Sequence, residues 1–172
     1  MNVIAPVTKS HSEEGTQTVL SFQLGDELFA MEVSCVREIL DLYRITRVPG
    51  APAHMLGVVN VRGIATAVMD LRARFGLGAS RPTPDTRIVI LEFNVEGEKI
   101  VVGGLADAVR EVIELEASQI TAPPSVGMNW PPDLVTGVAR KGDAFILLLD
   151  ITRLLLSETP FSILAGKAAD KD

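Results

Sequence analysis

An internal duplication is the feature that most limits how this chain can fold. The segment Val36–Ile39 (VREI) recurs 73 residues later as Val109–Val112 (VREV). The separation of 13 residues across Gly57–Asp70 recurs across Gly137–Asp150, in each case with a basic residue and a glycine in between. Matches in the same order indicate a duplicated unit of strand, turn, strand, short helix, strand, turn and strand. Such a unit favours small barrels, because closing a sheet of short strands removes its exposed edges.

Two hairpins are predicted in the first half of the chain. Apolar residues alternate with other residues along Leu20–Leu24 and along Phe29–Val33, on either side of a Gly-Asp-Glu turn. The second hairpin is predicted from Gly57–Arg62 and Ile64–Met69, and Gly63 lies in its turn, where a left-handed backbone is easily adopted. The predicted fold class is therefore all-β.

Two later strands are apolar on successive residues, namely Ile88–Leu91 and Phe145–Leu149. This pattern predicts strands that are covered on both faces, as at a junction between two barrels. The pair Gly103–Gly104 is interpreted as a bulge or a bend. Asp70 is placed to cap a short helix over Leu71–Phe75, which ends at a glycine.

The ordered domain is predicted to span residues 18–157. Residues 1–17 are polar and without period, and we expect a flexible tail. Residues 158–172 are expected to form a C-terminal tail or a short helix. A stretch rich in proline and small residues, 78–85, is interpreted as a linker.

Composition and charge exclude several functional classes. The net charge of −6, with one Trp and one Tyr, argues against a nucleic-acid-binding protein and against attraction to anionic membranes. No apolar run approaches the ~20 residues of a membrane-spanning helix, and the N-terminus does not resemble a signal peptide. Cys35 is the only cysteine, so no intrachain disulfide can form and a reducing compartment is favoured. We expect a cytoplasmic protein without direct membrane insertion.

Residues with the spacing of a catalytic or metal site are not evident in the sequence. His54 is the one histidine outside the predicted tail, and no Gly-x-Ser-x-Gly motif accompanies it. Metal-ligand and nucleotide-binding motifs are also missing, so no metal or cofactor is expected. Cys35 has no basic neighbour in sequence and is interpreted as a small buried apolar residue. These features favour a binding module over an enzyme. A small-molecule-binding regulatory barrel and a hydrolase that uses His54 remain as alternatives.

Several segments together resemble the CheW family. The stretch Gly57–Gly63 (GVVNVRG), followed by Asp70-Leu71-Arg72, resembles the family signature. The flanking pieces are Phe22–Glu27 (FQLGDE), Val36–Ile39 and Leu134–Gly137 (LVTG). The resemblance runs from about Thr18 to Leu156. One departure is that Ile64–Ala67 (IATA) carries no proline near Ala67, where the family often has one.

The resemblance implies two five-stranded barrels of the SH3 type, packed around a shared hydrophobic core and accompanied by short helices. It implies a non-enzymatic adaptor that binds the regulatory domain of the histidine kinase CheA and the cytoplasmic tip of chemoreceptors. With no kinase or receiver segment after the barrels, the chain is expected to be the stand-alone form.

The resemblance also implies a partner-binding site. Arg62 and Gly63 match a hairpin tip that supports adaptor assembly, Asn60 belongs to the same motif, and Glu38 is the expected ion-pair partner of Arg62. From residues alone, a solvated turn arginine is the favoured interpretation of Arg62, and the family resemblance reverses that preference. Three further residues, Val36, Thr86 and Ile88, match a receptor-facing groove between the barrels, where an apolar strip would hold a receptor helix. The alternative for Val36 and Ile88 is an ordinary core position.

Overall fold

Strands dominate the part of the chain that the computed structural model describes, which comprises residues 15–78, 81–124 and 134–156. In chain order the strands are β1 (Thr16–Leu24), β2 (Glu27–Glu32), β3 (Val36–Asp41), β4 (Met55–Val61), β5 (Ile64–Asp70), β6 (Arg87–Val95), β7 (Glu98–Ala106), β8 (Ala108–Glu116), β9 (Ile120–Thr121), β10 (Val135–Lys141) and β11 (Ala144–Leu149). The α-helices are α1 (Leu71–Arg74) and α2 (Ile151–Leu156), and single 3₁₀ turns lie at Val33–Cys35 and Ala117–Gln119. The all-β prediction is confirmed. β1 starts at Thr16, two residues before the predicted start of the domain, whereas residues 1–14 and 157–172 lie outside the described residues.

The strands form two sheets, and neither sheet corresponds to one duplicated half. The first sheet has the order β8-β1-β2-β11-β10-β9, and the second has the order β3-β6-β7-β5-β4. The hairpin β1–β2 therefore lies among strands from the second half of the chain, and the hairpin β6–β7 lies among strands from the first half. The two halves of the chain exchange these hairpins, so each barrel contains strands from both halves. The first sheet also has one strand more than predicted, the two-residue β9.

Each sheet closes through a short pairing at its seam, the gap between β3 and β4 in the second sheet and between β8 and β10 in the first. In the second sheet, Thr46 follows β3 and exchanges two backbone hydrogen bonds of 2.8 Å with Val58 of β4. In the first sheet, β9 follows β8 and pairs with β10, where Thr121 lies opposite Val138. We call the closed first sheet barrel 1 and the closed second sheet barrel 2.

Alternation along the central strands divides the apolar side chains between three cores. On β6, Ile88 and Ile90 point into barrel 2, whereas Val89 and Leu91 point into a core shared by both barrels. On β11, residues 146 and 148 point into barrel 1, whereas residues 147 and 149 point into the shared core. The predicted two-sided burial is thus confirmed for Ile88–Leu91. It is wrong for Phe145, which is 63% exposed because it lies next to the turn, beyond the reach of either core.

Aromatic stacking ties the two barrels together within the shared core. The rings of Phe22 and Phe29, from the hairpin β1–β2, stack at a centroid distance of 6.0 Å. Phe29 in turn stacks on Phe75, which follows α1, at 5.0 Å. Replacement of one such buried ring by alanine costs about 3–5 kcal/mol in proteins generally. The shared core therefore contributes much of what holds the barrels against each other.

The two short helices start in the same way in both halves. The Asp70 carboxylate accepts a hydrogen bond from the backbone N–H of Arg72 at 3.1 Å, which confirms the predicted cap. Asp150 accepts one from the N–H of Arg153 at 3.1 Å. Neither helix, within the described part of the chain, is long and apolar enough to cross a bilayer.

The interpretation of Gly103–Gly104 as a bulge is wrong. The ladder between β6 and β7 runs without a register shift through both glycines. A Cβ atom on Gly103 would lie 3.0 Å from Ile88 Cγ2, and one on Gly104 would lie 3.1 Å from Leu71 Cδ1. The glycines allow close approach of the side chains that pack on both faces of β7.

Candidate functional site

The candidate site is built on the two-residue turn between β4 and β5. Val61 pairs with Ile64, so Arg62 and Gly63 form the turn, with φ values of 53° and 84°. Positive φ at both central residues is the geometry of a type I′ turn, which matches the twist of the flanking strands. The side chain of Asn60 accepts a hydrogen bond from the Gly63 N–H at 2.7 Å. This hairpin tip is therefore held by a side-chain hydrogen bond, and Gly63 has the positive φ expected from the sequence.

The predicted ion pair between Arg62 and Glu38 is present. Arg62 Nη2 lies 3.4 Å from Glu38 Oε1, and the two side chains are 64% and 8% exposed, respectively. Glu38 stands on β3 and Arg62 on the tip of β4–β5, so the pair spans the seam of barrel 2. Because the guanidinium is mostly in water, the pair contributes little to the free energy of unfolding. Its structural effect is to orient a cation that still has exposed N–H groups.

Apolar side chains near this tip were not identified from the sequence. Ile64 follows the turn and is 63% exposed, and Tyr43 is partly exposed. The Tyr43 hydroxyl donates a hydrogen bond of 2.5 Å to the carbonyl oxygen of Asn60, which places its ring beside the turn. An exposed isoleucine next to a glycine turn could have been noticed in the sequence. The position of Tyr43 could not have been found in the sequence, because it depends on how the segment after β3 crosses the barrel.

The other three predicted site residues are buried. Ile88 has none of its side chain exposed, and Val36 and Thr86 are nearly covered. Ile88 lies in the core of barrel 2, Val36 lies in the shared core, and Thr86 Oγ1 accepts a hydrogen bond from Thr83 N–H at 2.9 Å. β6 is paired on both edges, with β3 and with β7. These three residues do not form an exposed strip with Arg62, and Val36 and Ile88 take the core positions that were the alternative interpretation.

A second ion pair spans the seam of barrel 1. Lys141, at the end of β10, pairs with Glu111 of β8. Glu111 lies 73 residues after Glu38, which is the offset of the duplication. The repeat in the sequence therefore already marked Glu111 as the counterpart of Glu38. Phe145 lies opposite Arg140 in the same hairpin and is exposed. Each barrel thus carries an acid–base pair across its seam and an exposed apolar residue on its β-hairpin.

The groups considered for chemistry are not assembled into a reactive site. His54 lies in the turn before β4, and its carbonyl oxygen accepts a hydrogen bond of 2.7 Å from the Asp70 N–H. Burial, and next the nearby Glu32 carboxylate, raise the pKa of the Cys35 thiol to about 12, so this thiol is protonated at neutral pH. Within residues 15–78, 81–124 and 134–156, no group of three or more His, Cys, Asp or Glu side chains could hold a metal ion.

Two cavities lie outside this tip. The first, of about 460 Å³, is at one end of barrel 1 and is lined in part by Glu32, Cys35 and Asp150. The second, of about 490 Å³, is at the rim between the barrels and is lined in part by Arg72 and Asp107. Neither contains Arg62 or His54.

Comparison with known proteins identifies the family. The family model of the CheW-like domain matches residues 18–159. "Chemotaxis protein CheW" of Klebsiella aerogenes is 32% identical over 155 residues, which cover 90% of this chain and 91% of the relative. Protein FrzA of Myxococcus xanthus is 29% identical over 140 residues, which cover 81% and 85%. The crystal structure of the scaffolding protein TtCheW from Thermoanaerobacter tengcongensis superimposes with a TM-score of 0.71 and 31% identity, covering 86% of this chain and 92% of that chain. The chain belongs to the CheW family.

Proposed function

We propose that this chain couples the cytoplasmic tip of chemoreceptors to the regulatory domain of the histidine kinase CheA, in the bacterial cytoplasm. Its membership in a family of chemotaxis scaffold proteins makes it a non-enzymatic coupling adaptor in chemosensory signalling. The two named partners and the location in the cytoplasm belong to the proposal. No finding favours the alternatives of a small-molecule-binding barrel or of a hydrolase that uses His54.

The Arg62–Glu38 pair is the observation that carries this proposal. A buried carboxylate holds an exposed guanidinium on a turn whose backbone is fixed by hydrogen bonds. Such a guanidinium can donate two parallel hydrogen bonds to a carboxylate of a partner without first losing much side-chain freedom. Desolvated in an interface, that contact would contribute about 1–3 kcal/mol to binding. The exposed Ile64 side chain beside it supplies an apolar contact at the same tip.

The remaining predicted site residues take supporting roles in this proposal. Asn60 and Gly63 shape the turn that presents Arg62. Val36, Thr86 and Ile88 would act beneath the receptor-facing groove by holding β3 and β6 in place, since their side chains are covered. A helix of the receptor would then contact side chains above them. Substitutions at Val36 or Ile88 should change receptor binding only together with stability.

The test is a reconstitution with purified kinase and a receptor cytoplasmic fragment. We expect the wild-type chain to bind each partner in a pull-down and to raise kinase activity when both are present. Arg62→Ala should lose most of that activation. Arg153→Ala is a matched control, because Arg153 is 62% exposed and lies 3.6 Å from Asp150, but on α2. Failure of the wild-type chain to bind either partner would overturn the proposal.

A further inference from the structure

We propose that Asp107 is a positioning residue, which sets the angle between the two barrels and thereby determines how well the chain couples its two partners. The coupling part of this inference rests on the proposed adaptor function. The structural part, that Asp107 fixes the relative orientation of the barrels, does not.

Asp107 is the single residue between β7, a strand of barrel 2, and β8, a strand of barrel 1. We call a point where the chain passes from one barrel to the other a crossover. Any rotation of one barrel against the other must change the backbone at this point or at the 3₁₀ turn Val33–Cys35, which joins β2 to β3. A residue at a crossover can act as a hinge, if its backbone is free to change, or as a clamp, if its contacts hold both barrels in place.

The contacts of Asp107 reach both barrels. Its backbone N–H donates to the carbonyl oxygen of Gln23 at 3.0 Å, and its Oδ2 accepts from the Gly25 N–H at 2.6 Å. Both of these residues belong to the hairpin β1–β2 of barrel 1. The same Oδ2 accepts from Arg72 Nη1 of α1, which follows β5 of barrel 2, also at 2.6 Å. One carboxylate oxygen therefore joins a turn of barrel 1 to a helix of barrel 2 by two short, charge-assisted hydrogen bonds.

Arg72 is held tightly in this arrangement. Its Nη2 donates to the Leu77 carbonyl oxygen at 2.9 Å, and its side chain is only 21% exposed, compared with 24% for Asp107. Its buried Nε has no hydrogen-bond partner among the described residues, and its guanidinium pairs with the Asp107 carboxylate at 2.6 Å. A half-buried pair of this kind is screened less by water than an exposed one.

The clamp lies where apolar packing does not hold the barrels together. The cavity of about 490 Å³ at this rim is lined by residues from both barrels, among them Gln23, Arg72, Asp107 and Arg110. The shared core joins the barrels on its inner side, and Asp107 closes the polar rim. A large hydrophobic contact restricts the movement of domains against each other. The shared core provides such a contact on the inner side, so the remaining freedom of the barrels to tilt lies at the polar rim.

The other crossover carries no comparable clamp among the described residues. Ser34, 73 residues before Asp107, is exposed and donates to the neighbouring Glu32 carboxylate at 3.4 Å. Cys35 Sγ donates to the Glu32 carbonyl oxygen, which is also local. The duplication therefore places two crossovers in equivalent positions, and among the described residues a charged contact between barrels is found at the Asp107 crossover but not at Val33–Cys35. This difference provides a matched control.

The experiment compares Asp107→Asn with Ser34→Ala in two measurements. The first is the distance distribution between spin labels at Glu114→Cys in barrel 1 and Asn94→Cys in barrel 2, in a Cys35→Ala background and without partners. Both label sites are exposed and lie outside the candidate site. We expect Asp107→Asn to broaden or shift this distribution and Ser34→Ala to leave it unchanged. An unchanged distribution in Asp107→Asn would overturn the inference, whatever the chain binds.

The second measurement separates positioning from binding. Affinities for the kinase regulatory domain and for the receptor fragment are measured singly, and kinase activation is measured with both at saturating concentration. We expect each single affinity of Asp107→Asn to stay within about twofold of wild type, while activation falls by about fivefold or more. Activation equal to wild type despite a changed distance distribution overturns the coupling role. A loss of kinase activation that is explained by weaker binding to one partner also overturns the coupling role. Failure of the wild-type chain to bind would instead refute the proposed function and leave the distance result to decide the clamp.

Discussion

Arg62 and Glu38 lie 3.4 Å apart across the seam of barrel 2, and the arginine is exposed while the glutamate is covered. The arginine also adopts a left-handed backbone with φ of 53°, which costs a residue other than glycine about 1–2 kcal/mol. The exposed ion pair returns no more than about 1 kcal/mol. Arginine at this position is therefore not explained by stability, which agrees with a role in binding.

We expect Arg62→Asn to unfold at the same temperature as wild type or slightly above it, while activating the kinase poorly. Asparagine adopts the left-handed region more easily than arginine but cannot form the ion pair.

Arg62→Ala should change the free energy of unfolding by no more than about 0.5 kcal/mol and weaken assembly by about 1–3 kcal/mol. Arg62→Lys should restore part of the assembly, because an ammonium group lacks the planar fork. Thermal melting and activation assays on the same preparations check this. Equal losses of folding and of activation would make Arg62 a structural residue.

Gly57→Ala should destabilise the protein by about 2 kcal/mol or more. Gly57 has φ of 148°, which side chains other than glycine rarely adopt, and its Cβ would lie 2.1 Å from the Thr46 carbonyl oxygen. That oxygen takes part in the pairing that closes barrel 2. Urea unfolding measures the loss.

Gly137→Ala is the matched variant in the other half, and we expect it to cost less, about 1 kcal/mol. Its Cβ would meet Ile120 Cγ2 at 2.7 Å, and a side-chain atom can move more easily than the backbone. Equal losses for the two variants would show that the closure at Thr46 does not limit stability.

Cys35 should react slowly with alkylating reagents in the folded protein. Its pKa is raised from the usual 9.0 to about 12, first by burial and then by Glu32. At pH 8 the thiolate population should therefore be about a thousandfold lower than in the unfolded chain. Mass spectrometry of the folded and urea-unfolded protein measures both rates, and similar rates would contradict the raised pKa of this thiol.

The same shift predicts a loss of stability at high pH. Because the folded pKa lies above the unfolded value, the contribution of the protonated thiol is complete below about pH 9 and is lost as the pH rises towards about 12. Between these values the free energy of unfolding should fall more steeply for wild type than for Cys35→Ala. At neutral pH, Cys35→Ala should leave kinase activation nearly unchanged.

Removal of residues 1–14 should leave the melting temperature within about 4 °C of wild type. The described pairing of β1 begins at Thr16, which lies opposite Glu116 of β8. Removal of residues 1–18 would delete three ladder positions and should lower the melting temperature further. A large loss from the shorter truncation would show that the N-terminal segment packs on a barrel.

The sequence by itself determined the local elements of this protein. Period-two alternation located the hairpins, because side chains on a strand point to opposite faces in turn. Glycine and aspartate marked turns and helix starts, because each suits a specific backbone geometry there. The Arg62–Glu38 pair followed from the family resemblance, and the repeat already contained Glu111 as its counterpart.

The tertiary structure alone decided which strands became neighbours. The duplication predicted small barrels without assigning strands to them, and the hairpin β1–β2 lies among strands of the second half and β6–β7 among strands of the first. A repeat in sequence specifies equal units but not whether they fold separately or exchange parts, since strand pairing joins residues far apart in the chain. The division of the β6 side chains between the shared core and the core of barrel 2 follows from that exchange and from barrel closure. The contact of Asp107 with Gly25 and Arg72 joins residues 82 and 35 positions apart, a distance over which alternation and turn signals carry no information.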